Sequence, residues 1–158
     1  MSILPQPVPR SDSAWQKFFV RLNGELQTTA VINGNFNIWQ RGTSLSAATG
    51  VRYLADRWLS SGTGSTMAPE RQAFSLGQTD VPGEPAYFHR NVVVTSAGAS
   101  NFAIMSQRIE DVQTFAGKTV TVAFYAKADA AKSISVELAQ NFGSGGSPSA
   151  EVDTFVVK

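Results

Sequence analysis

The segment Ile32-Asn33-Gly34-Asn35-Phe36-Asn37-Ile38-Trp39-Gln40-Arg41-Gly42-Thr43, followed by Ala55-Asp56-Arg57-Trp58, marks where this chain begins to read as β-structure. Asn33-Gly34 is a turn dipeptide, and Phe36 and Ile38 alternate with polar neighbours as on a half-buried strand. Trp39 and the following Gln40-Arg41-Gly42-Thr43 extend the pattern beyond what a turn or a strand requires. Outward from here the period-two grammar continues to the end of the chain. It predicts strands at 36–41, 56–61, 66–76, 86–95, 101–108, 118–127, 133–140 and 150–157. Gly62-Thr63-Gly64, Pro82-Gly83, Gly98 and Gly143-Ser144-Gly145-Gly146-Ser147-Pro148 punctuate those strands as turns. Many short strands with little helix between them argue a β-sandwich.

Towards the N-terminus the pattern changes. Pro5, Pro7 and Pro9 alternate in an extended leader, which favours polyproline II geometry. Ser11-Asp12-Ser13 offers N-cap oxygens, and Trp15, Phe18, Phe19, Leu22 and Leu26 follow at helical spacing. Gln16, Lys17, Arg21 and Glu25 take the opposite face, so the spacing predicts an amphipathic helix over about residues 12–26. The expected organisation is a proline-containing arm with an attachment or oligomerisation helix at 1–28, then a β-sandwich at 29–158. That apolar helical face either packs on the sandwich or docks to a larger assembly. The apolar strand Thr154-Phe155-Val156-Val157 at the end of the sequence leaves a sheet edge open, which fits a truncated sequence, a module completed by another polypeptide or strand exchange within an oligomer.

Composition narrows the function classes. Charged residues make up 16% of the 158, below the usual quarter or so, and Ser, Thr, Gly, Asn and Gln take their place. A net charge of +1 without a run of one sign gives no general attraction to nucleic acid or to an anionic membrane surface. With no cysteine there is neither a disulfide nor a thiolate metal site, and one histidine cannot build a multi-histidine site. The first ten residues have no signal-peptide character, and no segment reaches the ~20 apolar residues of a membrane span.

The segments 32–43 and 55–58 resemble the opening of a β-sandwich module of tail-fibre and related receptor-facing proteins of bacterial viruses and prophages. The resemblance runs on through Gly77-Gln78-Thr79-Asp80-Val81-Pro82-Gly83-Glu84-Pro85, Gln107-Arg108-Ile109-Glu110-Asp111-Val112, Ala116-Gly117-Lys118-Thr119-Val120-Thr121-Val122 and Glu137-Leu138-Ala139-Gln140-Asn141-Phe142-Gly143, covering residues 31–157. It implies a carbohydrate-binding-module-like jelly roll, an antiparallel β-sandwich preceded by the short N-terminal helix. It further implies a virion localisation after assembly in the host cytoplasm, a homo-oligomer (a trimer in fibres), and other tail or fibre proteins as partners. The proline-rich arm with Trp15-x-x-Phe18-Phe19-x-x-Leu22 is similar to the attachment ends of other phage tail proteins.

Catalysis finds little to stand on. A triad would need His89 as its base, yet His89 lies in a strand pattern beside Arg90, and no Gly-x-Ser-x-Gly elbow is present. Among the carboxylates, Glu110 and Asp111 are adjacent and diverge on either a strand or a helix; no pair suited to glycoside hydrolysis stands out. The expectation is a non-enzyme with no cofactor and no metal. Sugar recognition fits best, because sugars are read by aromatic faces together with fixed amide, carboxylate and guanidinium groups. The candidate glycan-binding residues are Tyr87, Trp39, Arg41, Asp56 and Arg57, although alternating aromatics such as Trp39 and Trp58 also serve cores. Two further readings stay open: a purely structural virion adaptor, and a fragment of a glycan-depolymerising tailspike.

Overall fold

The computed structural model describes residues 16–21, 30–94 and 98–157. Among them are nine strands: β1 (Gln16–Arg21), β2 (Arg52–Tyr53), β3 (Trp58–Thr63), β4 (Met67–Ala73), β5 (Tyr87–Val93), β6 (Phe102–Gln107), β7 (Thr121–Ala126), β8 (Ile134–Gln140) and β9 (Ala150–Val157). Every pairing is antiparallel, and the described residues contain no helix. The protein is mainly β. It divides into two compact units, Thr28–Glu110 and a second composed of Met1–Gln27 with Asp111–Lys158.

In the unit Thr28–Glu110, β2, β3 and β6 form one sheet and β4 with β5 another. Alternation decides which face is buried: Met67 and Pro69 of β4 turn inward while Ala68 and Glu70 do not. Leu54, Ala55, Leu59 and Met67 form the apolar core of this unit. Pro69 cannot donate to a ladder, and its neighbour on the open side of β4 does not require it to. The segment 43–48 runs along that side, with Leu45 N–H donating to Pro69 O, Arg71 N–H to Thr43 O, and Ala48 and Met67 exchanging both their bonds. Arg52 fastens this segment from behind, donating to the carbonyls of Ser46 (2.6 Å) and Ala48 (3.2 Å) and to Met67 O.

In the other unit β1 pairs with β7 and β8 with β9. The β8–β9 ladder shifts register after Leu138, so that Leu138 faces Asp153 while Ala139 faces Glu151; Val152 is the extra residue of a bulge. Val120 and Thr119 are buried just before β7.

Two local expectations are corrected. Gln16–Arg21 is a strand rather than part of a helix, with Phe18 opposite Phe124 and Val20 opposite Val122. Phe18-Phe19-Val20 is a short run of aromatic and β-branched residues, compatible with either period, and a backbone partner in β7 decides it. Trp15, Leu22 and Leu26, the rest of the expected apolar face, lie outside the described residues. The strand expected at 36–41 does not form either. Phe36 has φ 53° and Asn33 φ 54°, and such left-handed residues interrupt a ladder. The other predicted strands correspond to β3 through β9.

Candidate functional site

Asn33 organises the irregular segment that replaces the expected strand. Its left-handed backbone is one that asparagine tolerates better than most residues. Its carbonyl accepts Phe36 N–H (3.1 Å), closing the turn. Its side-chain amide then acts as a strand partner would, accepting from Ile38 N–H and donating to Ile38 O, both at 3.0 Å. The same Nδ2 donates to Asp56 O at 3.1 Å, and Asp56 N–H returns a bond to Ile38 O at 3.0 Å. Two segments 23 positions apart are thereby held edge to edge.

The Asp56-Arg57 turn is the second half of the site. Trp58 N–H donates to Ala55 O (3.0 Å), and Arg57 sits at φ 73° within that turn. This geometry sends the two side chains to different partners. Asp56 Oδ1 accepts Gln40 N–H at 3.1 Å and faces Arg41 Nη1 at 3.5 Å. Arg57 Nη2 donates to Glu110 Oε1 and reaches Arg108 O at 3.4 Å. The Arg57 guanidinium holds the Glu110 carboxyl below the usual carboxylate range, and Glu110 raises Arg57 in return. Arg41 also lies 5.8 Å from the centre of the Tyr53 ring, within cation–π reach.

These groups line a cleft of about 360 Å³ whose wall consists of Gln40, Arg41, Tyr53, Asp56, Arg57, Arg108 and Glu110. Three of the five expected glycan-binding residues, Arg41, Asp56 and Arg57, converge there. Trp39 does not line it. Trp39 is half-buried, stacked on His89 (5.6 Å between centroids, 16° between planes), and its indole N–H donates to Phe36 O. Phe36, Trp58 and His89 complete this aromatic cluster, with Phe36 at 5.3 Å from Trp58 and 5.5 Å from His89. Burial pushes the His89 imidazole below its ordinary pKa, opposed by its contact with Asn91 Oδ1 at 3.2 Å. Its other ring nitrogen, Nδ1, is buried without a partner, which suits a neutral ring packed in the aromatic cluster.

Tyr87 belongs to a different place. It lies under Arg71 (4.3 Å from the guanidinium to the ring centre) and lines a second cleft of about 310 Å³ with Phe74, Leu76, Gln78, Glu84 and Pro85. Gln40, Tyr53, Arg108 and Glu110 also line the first cleft without being among the five expected residues. Arg108 and Glu110 lie just past the end of β6, so the pairing of β6 with β3 brings them to the cleft and no strand period marks them. Comparison with protein-family models, with curated proteins and with solved structures gives no match to this chain, so the reading of the site rests on its own chemistry.

Proposed function

We propose that this chain is a virion structural protein, a subunit of a phage tail fibre, spike or decoration, which binds a host-surface glycan through the Arg41–Asp56–Arg57 cleft. The observation that carries this reading is the convergence of charged, amide and phenolic side chains from 40–41, 53–57 and 108–110 on one open cleft of saccharide size. The resemblance of residues 31–157 to receptor-facing phage modules supplies the virion context. A jelly roll is the finer topology we propose. It is supported by nesting of the antiparallel pairs within the unit Thr28–Glu110, where β4–β5 lies in sequence inside β3–β6, as in a long hairpin folded on itself. The leader that precedes β1 takes the attachment role, and a trimer would turn weak single sites into useful avidity.

The function is binding without turnover. A glycosidase needs one carboxyl held protonated as general acid, and Glu110 is biased the other way by Arg57. A structural adaptor is the second reading, favoured by apolar side chains exposed along β6, where Phe102, Ile104 and Met105 are 46%, 39% and 38% accessible. The two readings separate on immobilised host polysaccharide. A glycan reader is retained, and Asp56→Ala, which frees Arg41 and Gln40 from their anchor, abolishes retention. An adaptor passes through unretained, and its assembly depends on residues 1–28 and β6 instead.

A further inference from the structure

We infer that the ligand of this cleft is a saccharide bearing a carboxylate, of the hexuronic or sialic acid type, with Arg108 as the residue that receives its charge. The inference rests on the glycan-binding reading and adds the chemical class of the sugar. The reasoning is a charge inventory. The cleft wall holds three guanidinium groups and two carboxylates. Arg57 and Glu110 are bonded directly and neutralise each other. Arg41 and Asp56 are 3.5 Å apart, looser than the ~2.8 Å of a charge-assisted bond, and Asp56 Oδ1 is already shared with Gln40 N–H. Arg108 is exposed and has no acidic partner among the described residues; its carbonyl, accepting from Arg57, ties its backbone to the cleft.

A neutral sugar presents hydroxyls that donate as readily as they accept. Guanidinium groups can only donate, five N–H each, so a wall richest in arginine is best met by a ligand rich in acceptors. A carboxylate matches the planar fork of Arg108 bidentately. The ring faces left over have Tyr53 available, with Arg41 stacked beside it. Asp56, bonded through Oδ1, remains as an acceptor for sugar hydroxyls.

The test is titration calorimetry with tetragalacturonate and with sialyllactose, each beside its neutral counterpart, carboxyl-reduced tetragalacturonate and lactose. At low salt at least one acid should bind about tenfold more tightly than its neutral partner, the factor that one charge-assisted bond supplies. Arg108→Gln should erase this preference, and Lys127→Gln, an exposed lysine outside the cleft wall, should leave it intact. Equal binding of acid and neutral sugars overturns the inference while glycan binding stands. An equal effect of Lys127→Gln also overturns it, since the attraction would then be diffuse. Binding of none of the four sugars removes the inference, and retention on host polysaccharide separately decides the reading beneath it.

Discussion

The two clefts of the unit Thr28–Glu110 have similar volumes, about 360 and 310 Å³, and are built in opposite ways. The second is local. Its wall comes from residues 73–87, the loop joining paired strands β4 and β5, closed by Phe74 N–H to Ala86 O and by Gln78, which bonds both backbone groups of Val81. The first is assembled across the chain. Asn33 reaches Asp56, Arg57 reaches Glu110, and the Gln107 amide brackets Ile32 with two bonds of 2.7 Å. A site built by distant side chains can place more kinds of charge together than one hairpin can. It also depends on single fasteners, and this contrast can be broken experimentally.

The largest effect is expected at Asn33. Asn33→Ala deletes three side-chain hydrogen bonds, each worth about 1 kcal/mol net. It also leaves alanine in a left-handed conformation costing about 1 kcal/mol. Urea unfolding should report a loss of about 3 to 4 kcal/mol, with sugar binding abolished. The amide chemical shifts of Gln78 and Val81 should stay where they are. Movement of those hairpin amides would mean the two clefts are one cooperative unit.

Next comes Gly62, which lets β3 pass close to its own turn. A Cβ there would stand 2.7 Å from Ser65 O and 3.1 Å from Phe102 O, both backbone atoms that cannot swing aside. Gly62→Ala should cost about 1 to 3 kcal/mol, the usual range for overpacking. It should loosen the β3–β6 pairing that carries Arg108 at its end. An unchanged unfolding midpoint would show that β6 can shift away freely.

A smaller, pH-dependent effect belongs to His89. Its folded pKa lies below its ordinary value of 6.5 because burial disfavours the imidazolium. The unfolded chain therefore takes up the proton first, and stability falls as pH drops below 6.5. Above that value the contribution is constant. Arg71 faces His89 across the β4–β5 ladder, and Phe36, Trp39 and Asn91 are its other neighbours, so no carboxylate is among these contacts to rescue the charge. Unfolding measured between pH 7.5 and 5.5 should show this slope in the wild type and lose it in His89→Gln. A wild type without a slope would place His89 in contact with water.

Much of the β-structure was legible because it rests on alternation, which sequence displays directly. The strands β4, β5 and β8 follow the expected ranges closely. What was not legible depends on partners. The apolar spacing around Phe18 and Phe19 is ambiguous until β7 is known to lie opposite. Phe36 and Ile38 look like a strand because nothing in their spacing reveals that the Asn33 amide has taken the place of a ladder. The site shows the same division. Arg41, Asp56 and Arg57 were visible as a polar word, whereas Arg108 and Glu110 joined it only through a fold that returns β6 beside β3. Trp39 was ambiguous between ligand and core until His89 was found stacked on it.

The smallest effect should lie in the local cleft, at Leu76. Its side chain is 98% accessible on the wall formed by 73–87. Leu76→Ser removes no buried area and no hydrogen bond, so the unfolding free energy should change by less than about 0.5 kcal/mol. The neighbouring contacts that shape the loop, Phe74 on Phe88 at 4.8 Å and Gln78 on Val81, do not involve it. A cost above 1 kcal/mol that grows with protein concentration would mean that Leu76 is covered in solution by a second copy of the chain. The local cleft would then be an assembly surface, and the difference between the two clefts would be one of role as well as of construction.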